Sequence, residues 1–486
     1  MTRAFQAADV DLDMPDAQRE LASPDRAIGT TLMVHDGSAI DHLPTLDIRF
    51  DSNSKTVKRA GPRPIEYQIT GRAMSRNART ARSACLGIAL TMLTALTIST
   101  PGTAQEKRYD SGASDMAIKI GNTAPYSGPL SSNGIIARTE AAYFKMINDQ
   151  GGVNGRKIEF ISYDDAYSPP KTVEQTRKLI ESDEVLLLFN QLGTPTTMSV
   201  IKYVTARKVP QLFIAAGATV VGDHKAYPWS MGFQPSYQSE TRIYGKYLRD
   251  NYPNGKIAVL SSNDDFGRDN MKGLKDGLGD AARNIVAEAT YETSAPTIDS
   301  ELVRLKFSGA DIFVNFASAK FAAQAIKKAA EIGWKPVHIL HGNSQSISAV
   351  LSPAGIENAK GIITASYSKD PADAAWKDDP GLKKFSDFIA KHMPGEDKNN
   401  FYVVYGYNAA QALVAVLDQC RDDLTRANVL KQAEALKQVH LDMLLPEIAL
   451  TTSPSDHYPI EQMQLQKFDG QNWVRFGPTI EGALGK

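Results

Sequence analysis

The chain has 486 residues, of which 54 are basic and 55 acidic, so the formal net charge at neutral pH is −1. This balance argues against nucleic acid or an anionic membrane surface as the partner. The sequence contains two cysteines, Cys85 and Cys420. Cys85 lies in a segment that we expect to be removed, which leaves one thiol and excludes an intramolecular disulfide and a cysteine-based metal site.

The first part of the chain carries an export signal that is displaced from the N-terminus. Met74 is followed by three arginines, by an apolar run over residues 84–98 and by small residues at 102–104. This pattern is typical of a secretory signal, and the run is shorter than the ~20 apolar residues of a spanning helix. A buried core helix is the alternative, although its flanks argue against it. We predict a cleaved signal peptide over residues 74–104 and a periplasmic mature protein.

Residues 1–73 are rich in Asp, Pro, Ser and Arg and show no sustained period of 3.6 or 2. Their short apolar pieces are too few to bury a core that would offset the entropy of the chain. We expect this leader to be disordered or to be an over-extended reading frame, with translation starting at Met74.

The mature chain alternates short apolar strands with longer amphipathic helices. Its ~380 residues exceed the ~250–300 at which one core usually divides, so two domains are expected. A first run has predicted strands at 117–121, 157–163, 185–189 and 211–216, and helices at 138–150, 170–182 and 196–206. A second run has strands at 256–261, 285–291, 311–316 and 337–341, and helices at 239–251, 267–277, 300–308 and 320–332.

The last part of the chain adds predicted helices at 381–392, 399–420 and 428–436 and β-rich segments at 361–368 and 462–476. Cys420 ends an apolar helix, which favours a buried thiol. Repeated βα units indicate parallel sheets flanked by helices. The predicted fold class is therefore α/β, with two Rossmann-like lobes joined by a hinge.

Two strand–helix junctions of the first run could hold a ligand. In open parallel sheets, ligands bind beyond the carboxyl ends of strands, where helix N-termini offer free N–H groups. Residues 190–197 include Thr196 and Thr197, and residues 215–219 include Ala218 and Thr219. In each junction, hydroxyls beside free amides could bind a carboxylate. Ordinary capping and turn chemistry is the alternative.

Sequence patterns of enzymes are absent. There is no GxGxxG, GxxxxGK[ST], HExxH or GxSxG motif, so dinucleotide or NTP binding and hydrolysis are not supported. The acidic pairs 164–165 and 264–265 each follow a predicted strand, where adjacent side chains point to opposite sides. Turn-forming or capping roles are favoured for them. We expect a non-enzymatic protein without a cofactor or metal.

Several short motifs, in order along the chain, carry a family resemblance. They are Ser127-Gly128-Pro129, the segment INDQGGVNG at 147–155, Tyr163-Asp164-Asp165, Gly217-Ala218-Thr219, and NDDFG at 263–267. From about residue 117 to 476 the chain resembles the periplasmic solute-binding proteins of the leucine/isoleucine/valine-binding type. The resemblance implies a two-lobed type I periplasmic-binding fold that delivers a small molecule to the membrane permease of an ABC importer, as a monomer. It places the first lobe at 115–238 plus 369–447, and the second at 239–368 plus 448–486.

The resemblance also implies a set of ligand-binding residues. In the first lobe these are Thr196, Ala218 and Thr219, which match the family's carboxylate-binding positions, and Asn133, which follows the Ser-Gly-Pro turn. In the second lobe the corresponding positions are Phe266, Ser318, His341 and Asn343. For His341, a hydrogen-bonded core residue is the alternative.

The chain departs from the family at one of these positions. Amino-acid binders of this type place an acidic residue at the last strand end, where this chain has His341-Gly342-Asn343-Ser344. A buried ammonium without a counter-charge would be unfavourable. We therefore expect an organic acid without an amine, with an aromatic or hydrophobic body packed against Phe266 and Phe316. A branched-chain or other amino acid remains an alternative ligand, and a ligand-sensing receptor an alternative role.

Overall fold

The computed structural model describes residues 107–482. The predicted leader at 1–73 and signal peptide at 74–104 lie outside these residues. Within 107–482, no helix combines the length and the apolar character needed to cross a membrane.

Strands and helices alternate through most of the described chain. The strands are β1 (Arg108–Tyr109), β2 (Ala117–Ala124), β3 (Lys157–Asp164), β4 (Leu187–Phe189), β5 (Gln211–Ile214), β6 (Ser230–Gly232), β7 (Ile257–Ser262), β8 (Ile285–Tyr291), β9 (Ile312–Phe316), β10 (Val337–Leu340), β11 (Ile363–Ser366), β12 (Asp423–Leu424), β13 (Gln462–Phe468) and β14 (Trp473–Glu481). The helices are α1 (Ile135–Asp149), α2 (Pro169–Glu181), α3 (Thr194–Ala206), α4 (Tyr237–Asn251), α5 (Asp265–Leu278), α6 (Asp299–Phe307), α7 (Ala319–Glu331), α8 (Pro380–His392), α9 (Phe401–Cys420) and α10 (Arg426–Ala433).

The first sheet has the strand order β3-β2-β4-β5-β6, and its neighbouring strands run parallel. Every residue of β4 and β5 is buried. Their apolar sequences are typical of strands that are covered on both faces. The order places β4 and β5 side by side, so the loops after these two strands leave the same edge of the sheet.

The second sheet has the order β14-β13-β11-β10-β9-β7-β8. The strands from β11 to β8 are parallel, whereas β13 pairs antiparallel with β11 and forms a hairpin with β14. The hairpin turn is built by Asp469, whose Oδ1 accepts from the backbone N–H groups of Gln471 and Asn472. One parallel and one mainly parallel sheet, both flanked by helices, confirm the predicted α/β fold with two Rossmann-like lobes.

The segment after α10 returns to the first lobe before it enters the second sheet. Leu450 N–H donates to the carbonyl of Val439, Thr452 Oγ1 donates to that of Ala433, and Gly232 N–H donates to that of His457. The chain therefore contacts first-lobe elements up to about residue 460. The expected boundary between 447 and 448 stays a prediction.

Strands β1, β6 and β12 were not predicted, since each has only two or three residues and no periodicity can be recognised at that length. Helix α9 packs against α1 and ends at Cys420. Cys420 is buried, as predicted, and its burial raises the pKa of the thiol to about 12. The thiol therefore stays protonated near neutral pH.

Candidate functional site

Strand ends from both sheets open into a cavity. Each of several parallel strands contributes a residue just beyond or at its carboxyl end to the lining, namely Gly193, Ala215, Ser262, Thr293, Ser318 and Asn343. This is the location at which open α/β sheets bind ligands. The cavity is therefore the candidate site.

The first turn of α3 faces the cavity through Gly193 and Thr194. Gly193 has a φ of 105°, and a Cβ there would lie 2.3 Å from Cε2 of Tyr167. Only glycine therefore allows the chain to pass beneath the tyrosine ring. Thr194 Oγ1 lies 3.3 Å from the hydroxyl of Tyr237. A helix N-terminus with an adjacent hydroxyl is suited to binding an anion.

Thr196 and Thr197, which were expected to face the ligand, do not line the cavity. Thr196 Oγ1 donates to the carbonyls of Leu192 and Gly193, so its hydroxyl is used within its own helix. Thr197 is buried, and its hydroxyl has no partner among the described residues. The hydroxyl that this loop presents to the cavity belongs to Thr194, two residues before the predicted Thr196.

The loop after β5 also differs from the expectation. Thr219 donates to Oδ2 of Asp269 from its backbone N–H at 2.7 Å and from Oγ1 at 2.8 Å, and Gln238 Nε2 donates to the other carboxylate oxygen. Ala218 is buried and does not line the cavity. The loop binds a carboxylate, as its chemistry predicted, but that carboxylate is a side chain from α5.

Four of the five other expected residues line the cavity, and the fifth, His341, lies behind it. Asn133, Phe266, Ser318 and Asn343 line the cavity. Asn343 also connects to neighbouring elements, since Gln234 Nε2 donates to its Oδ1 at 2.8 Å and Tyr402 donates to its carbonyl at 3.1 Å.

Aromatic rings form much of the wall, and most of them were missed from the sequence. In addition to Phe266, the lining includes Tyr167, Tyr237, Tyr291, Phe401, Tyr402 and Tyr405. The rings of Tyr237 and Phe266 meet edge to face with centroids 4.8 Å apart, a favourable aromatic geometry. Burial raises the pKa of Tyr291 to about 12 and also raises that of Tyr167 and Tyr237. Their hydroxyls therefore remain protonated and can donate hydrogen bonds.

The adjacent carboxylates of Asp164 and Asp165 hold Tyr167 in place. Asp164 Oδ1 accepts from the backbone N–H of Ala166, and Asp165 Oδ1 accepts from that of Tyr167, each at 2.9 Å. Ala166 and Tyr167 both have left-handed backbones, with φ values of 51° and 57°. Thr172 donates to the remaining oxygen of Asp165 at 2.9 Å. This pair forms turns, as the sequence predicted, and the turns direct the Tyr167 ring toward Gly193.

One carboxylate lines the cavity. Asp264 caps α5 by accepting from Gly267 N–H, and Ser262 Oγ donates to the same oxygen at 2.5 Å. Among the lining residues of the described chain there is no lysine, arginine or histidine. An anionic ligand would therefore be held by amides and hydroxyls, and Asp264 would face any positive group.

His341 lies behind the wall and does not line the cavity. Its ring packs against Tyr237, Phe266 and Phe316, with centroids 5.1–6.1 Å away. Its Nδ1 accepts from Asn343 N–H, so the neutral ring carries its proton on Nε2. Burial lowers the pKa of His341 to about 3. His341 is thus placed as the hydrogen-bonded core residue that the sequence left as an alternative.

Glu240 places an acidic side chain beside residues 341–344, which contain no acid themselves. Its Oε1 accepts from Gly342 N–H at 2.6 Å and from the Tyr244 hydroxyl at 2.7 Å. Its Oε2 is 3.5 Å from Nε2 of His341. Burial raises the pKa of Glu240 to about 7. Glu240 does not line the cavity, because the imidazole stands between the carboxylate and the cavity wall.

Comparison with known proteins gives a consistent family. Residues 117–472 match the family model described as periplasmic binding protein. The Leu/Ile/Val-binding protein homolog 7 of Brucella abortus (strain 2308) is 25% identical over 316 residues, which cover 63% of this chain and 77% of the relative. Both the family and this relative are named for binding, which confirms the expectation of a non-enzymatic protein.

Two solved structures show the same fold. A branched chain amino acid ABC transporter protein from Thermus thermophilus with bound valine aligns with a TM-score of 0.69 at 16% identity, covering 75% of this chain and 97% of that chain. A solute binding protein of an ABC transporter from Rhodopseudomonas palustris BisB5, in complex with 3,4-dihydroxy benzoic acid, aligns with a TM-score of 0.65 at 21% identity, covering 76% and 99%. With the family model spanning most of the described residues, the chain belongs to the periplasmic binding protein family, in its type I, Leu/Ile/Val-binding branch.

Proposed function

We propose that this protein is exported by a cleaved signal peptide and captures a small organic acid with an aromatic or hydrophobic body in the cavity between its lobes. As a monomer in the periplasm, it would present the closed, loaded form to the permease of an ABC importer. The observation that carries the proposal is the first turn of α3, with Gly193 and Thr194, opening into a cavity walled by aromatic rings.

Two features of the lining support such a ligand. The α3 N-terminus carries a partial positive charge, and the hydroxyls of Thr194 and Tyr237 are close enough to share a carboxylate. The rings of Phe266 and Tyr291 offer apolar surface for a ring or alkyl body.

An amino acid is the second candidate, and Asp264 is the observation that favours it. The expectation of an amine-free ligand rested on the absence of an acid at residues 341–344. Asp264 brings a carboxylate into the cavity wall from a different element, the start of α5. The tyrosine rings nearby could also face a cation.

A ligand panel tests both candidates on the purified protein. We expect benzoate, 3-phenylpropanoate or octanoate to raise the melting temperature more than leucine, valine or phenylalanine. Stabilisation follows RT ln(1 + [L]/Kd), about 2.7 kcal/mol at one hundred times Kd. Calorimetry would then measure Kd for each hit. Stabilisation by amino acids alone would replace the first candidate with the second, and no stabilisation by any of these compounds would contradict both.

The substitution Asp264→Asn separates the two ligand classes within one site. The amide oxygen can still accept from Gly267 N–H, so the cap of α5 is retained. Binding of an amine-bearing ligand should weaken by about tenfold or more, since its ammonium loses a charged partner, whereas binding of an amine-free acid should be unchanged or tighter. Asp265→Asn is the matched control, because Asp265 is exposed, pairs with Arg268 and does not line the cavity.

A further inference from the structure

We infer that a second, smaller cavity behind Phe401 is a distal subsite for a hydroxyl-bearing end of the ligand; this inference rests on the proposed function. Phe401 lines both this cavity and the larger one, so the residue lies between the two spaces. A ligand bound by its carboxylate at α3 would reach the smaller cavity by displacing the Phe401 ring.

Buried polar atoms around the smaller cavity are unused by the protein. Among the described residues, Gln345 Nε2, Ser368 Oγ, Asn399 Oδ1 and Asp370 Oδ2 have no hydrogen-bond partner, and all four residues line the cavity. Gln345 and Ser368 are each only 4% exposed. Buried polar groups in native proteins are almost always paired, and leaving them unpaired is unfavourable. The site is therefore built for an occupant that forms hydrogen bonds.

The free atoms suit a group that both donates and accepts. Gln345 Nε2 donates, Asn399 Oδ1 and Asp370 Oδ2 accept, and Ser368 Oγ can do either. The cationic side chain at this cavity is already paired, since Lys369 Nζ donates to both carboxylate oxygens of Asp379 at 2.8 Å and to the carbonyl of Asp442 at 2.9 Å. An alcohol or phenol hydroxyl can accept from Gln345 and donate to Asn399 or Asp370, whereas a second carboxylate would face the carboxylate of Asp370 without a free cation beside it among the described residues.

The walls of the smaller cavity come from both lobes. Gln345 follows β10, and Trp473 begins β14 in the second sheet, where Trp473 Nε1 donates to the carbonyl of Gln345 at 3.0 Å. Asn399 precedes α9, and Phe401 is its first residue. The ring centroid of Phe401 lies 6.4 Å from that of Tyr405 and 6.5 Å from that of Tyr367. A hydroxyl held here would contact both lobes.

Matched pairs of acids test the inference by calorimetry. The probes are 3-phenylpropanoate and 4-phenylbutanoate, each compared with its para-hydroxylated form. For at least one chain length, we expect the hydroxyl to tighten binding by about two- to tenfold, as for one added hydrogen bond to buried partners. Ser368→Ala should abolish this gain while leaving Kd for the unhydroxylated acid unchanged.

The outcomes separate the inference from the proposed function. Equal affinities within every pair, or a gain that survives in Ser368→Ala, would overturn the subsite while leaving carboxylate binding intact. If no acid of the series bound, the proposed function itself would fall, and the subsite with it. Thermal unfolding checks that Ser368→Ala is folded. Should it not fold, Asn399→Ala provides the same comparison, with loss of the hydroxyl gain expected.

Discussion

Two loops of the first lobe have similar chemistry but different uses. The loop after β4 places Gly193 and Thr194 at the large cavity, whereas the loop after β5 places Thr219 against Asp269 of α5. Both offer a threonine hydroxyl beside backbone N–H groups. The difference teaches that composition identifies an anion-binding loop, whereas the position of the opposite lobe decides whether the anion is a ligand or a side chain.

The largest effect should come from Gly193→Ala. The new Cβ would lie 2.3 Å from the Tyr167 ring, and the alanine would have to adopt a φ of 105°. The Tyr167 ring must therefore move away from the loop that contains residue 193. We expect ligand affinity to fall by about one hundredfold, because the displaced ring and loop no longer fit the ligand, while backbone strain of about 1–3 kcal/mol lowers the melting temperature. Calorimetry measures the loss.

Gly151→Ala is the matched control for that substitution. Gly151 has a φ of 107°, but a Cβ there would have nothing within 4 Å. It should lower the melting temperature through backbone strain without changing ligand affinity. If Gly193→Ala behaved in the same way as Gly151→Ala, the loop after β4 would not be the binding loop.

The next largest effect distinguishes the two threonines. Thr194→Ala should weaken carboxylate binding by about tenfold, since it removes a hydroxyl donor to a charged group. Thr219→Ala should weaken it less, because its hydroxyl donates to Asp269. Titration calorimetry of both variants with the same acid gives the comparison. If Thr219→Ala lost more affinity than Thr194→Ala, the ligand carboxylate would have to replace Asp269 as the partner of Thr219.

A smaller effect is expected from Asp269→Asn, which weakens the contact between the lobes. Asp269 accepts from Thr219 of one lobe and lies on α5 of the other, so it stabilises the closed arrangement. Affinity should fall about threefold, because binding shifts an equilibrium that now favours the open form. Small-angle scattering should show a larger radius of gyration without ligand. Asp276→Asn, on the same helix and paired with Lys272, should change neither quantity.

Apart from these effects on affinity, an effect on folding stability concerns pH and the acid behind the wall. The pKa of Glu240 is raised to about 7 from an ordinary value of 4.5, so the folded protein binds a proton more tightly than the unfolded chain. Its contribution to stability therefore falls as pH rises from about 4.5 to about 7, by on the order of 2–3 kcal/mol. Glu240→Gln removes this titration.

Urea unfolding at pH 5 and pH 8 measures the effect as a difference. The wild type should lose stability relative to Glu240→Gln between these pH values. In Glu240→Gln the side-chain NH₂ group faces the Nε2–H group of His341. These two donors cannot bond to each other, so the variant is less stable at both pH values. The change in stability between pH 5 and pH 8 is not affected. An identical pH dependence for the two proteins would show that Glu240 stays charged in the fold.

The sequence predicted the fold because periodicity is local. Strand β8, over Ile285–Tyr291, has the predicted bounds, helix α8 differs from its prediction by one residue at its start, and helix α6 by one residue at each end. Contacts between distant segments could not be predicted in this way. Glu240 meets Gly342 across 102 positions, and Thr219 meets Asp269 across 50. No pattern along the chain indicates either pair.

The aromatic wall shows the same limit within a single helix. Helix α9 was predicted correctly, but it is apolar on nearly all sides, so its hydrophobic pattern could not show that Phe401, Tyr402 and Tyr405 face a cavity. Phe266 and Ser318 were placed by the family resemblance, through the aromatic residue of the NDDFG motif and a strand end. A family motif can thus place residues near strand ends, whereas the hydrophobic pattern of a fully buried helix does not show which face lines a cavity.

The hydrogen bonds that fix the backbone at Tyr167 have a consequence for the thermodynamics of binding. Its backbone is held in a left-handed conformation by two carboxylates and a threonine before any ligand arrives. The ring is therefore preorganised, and little side-chain entropy remains to be lost when a ligand packs against it. The cost of ordering this wall is met during folding, which leaves more of the contact free energy to appear as affinity.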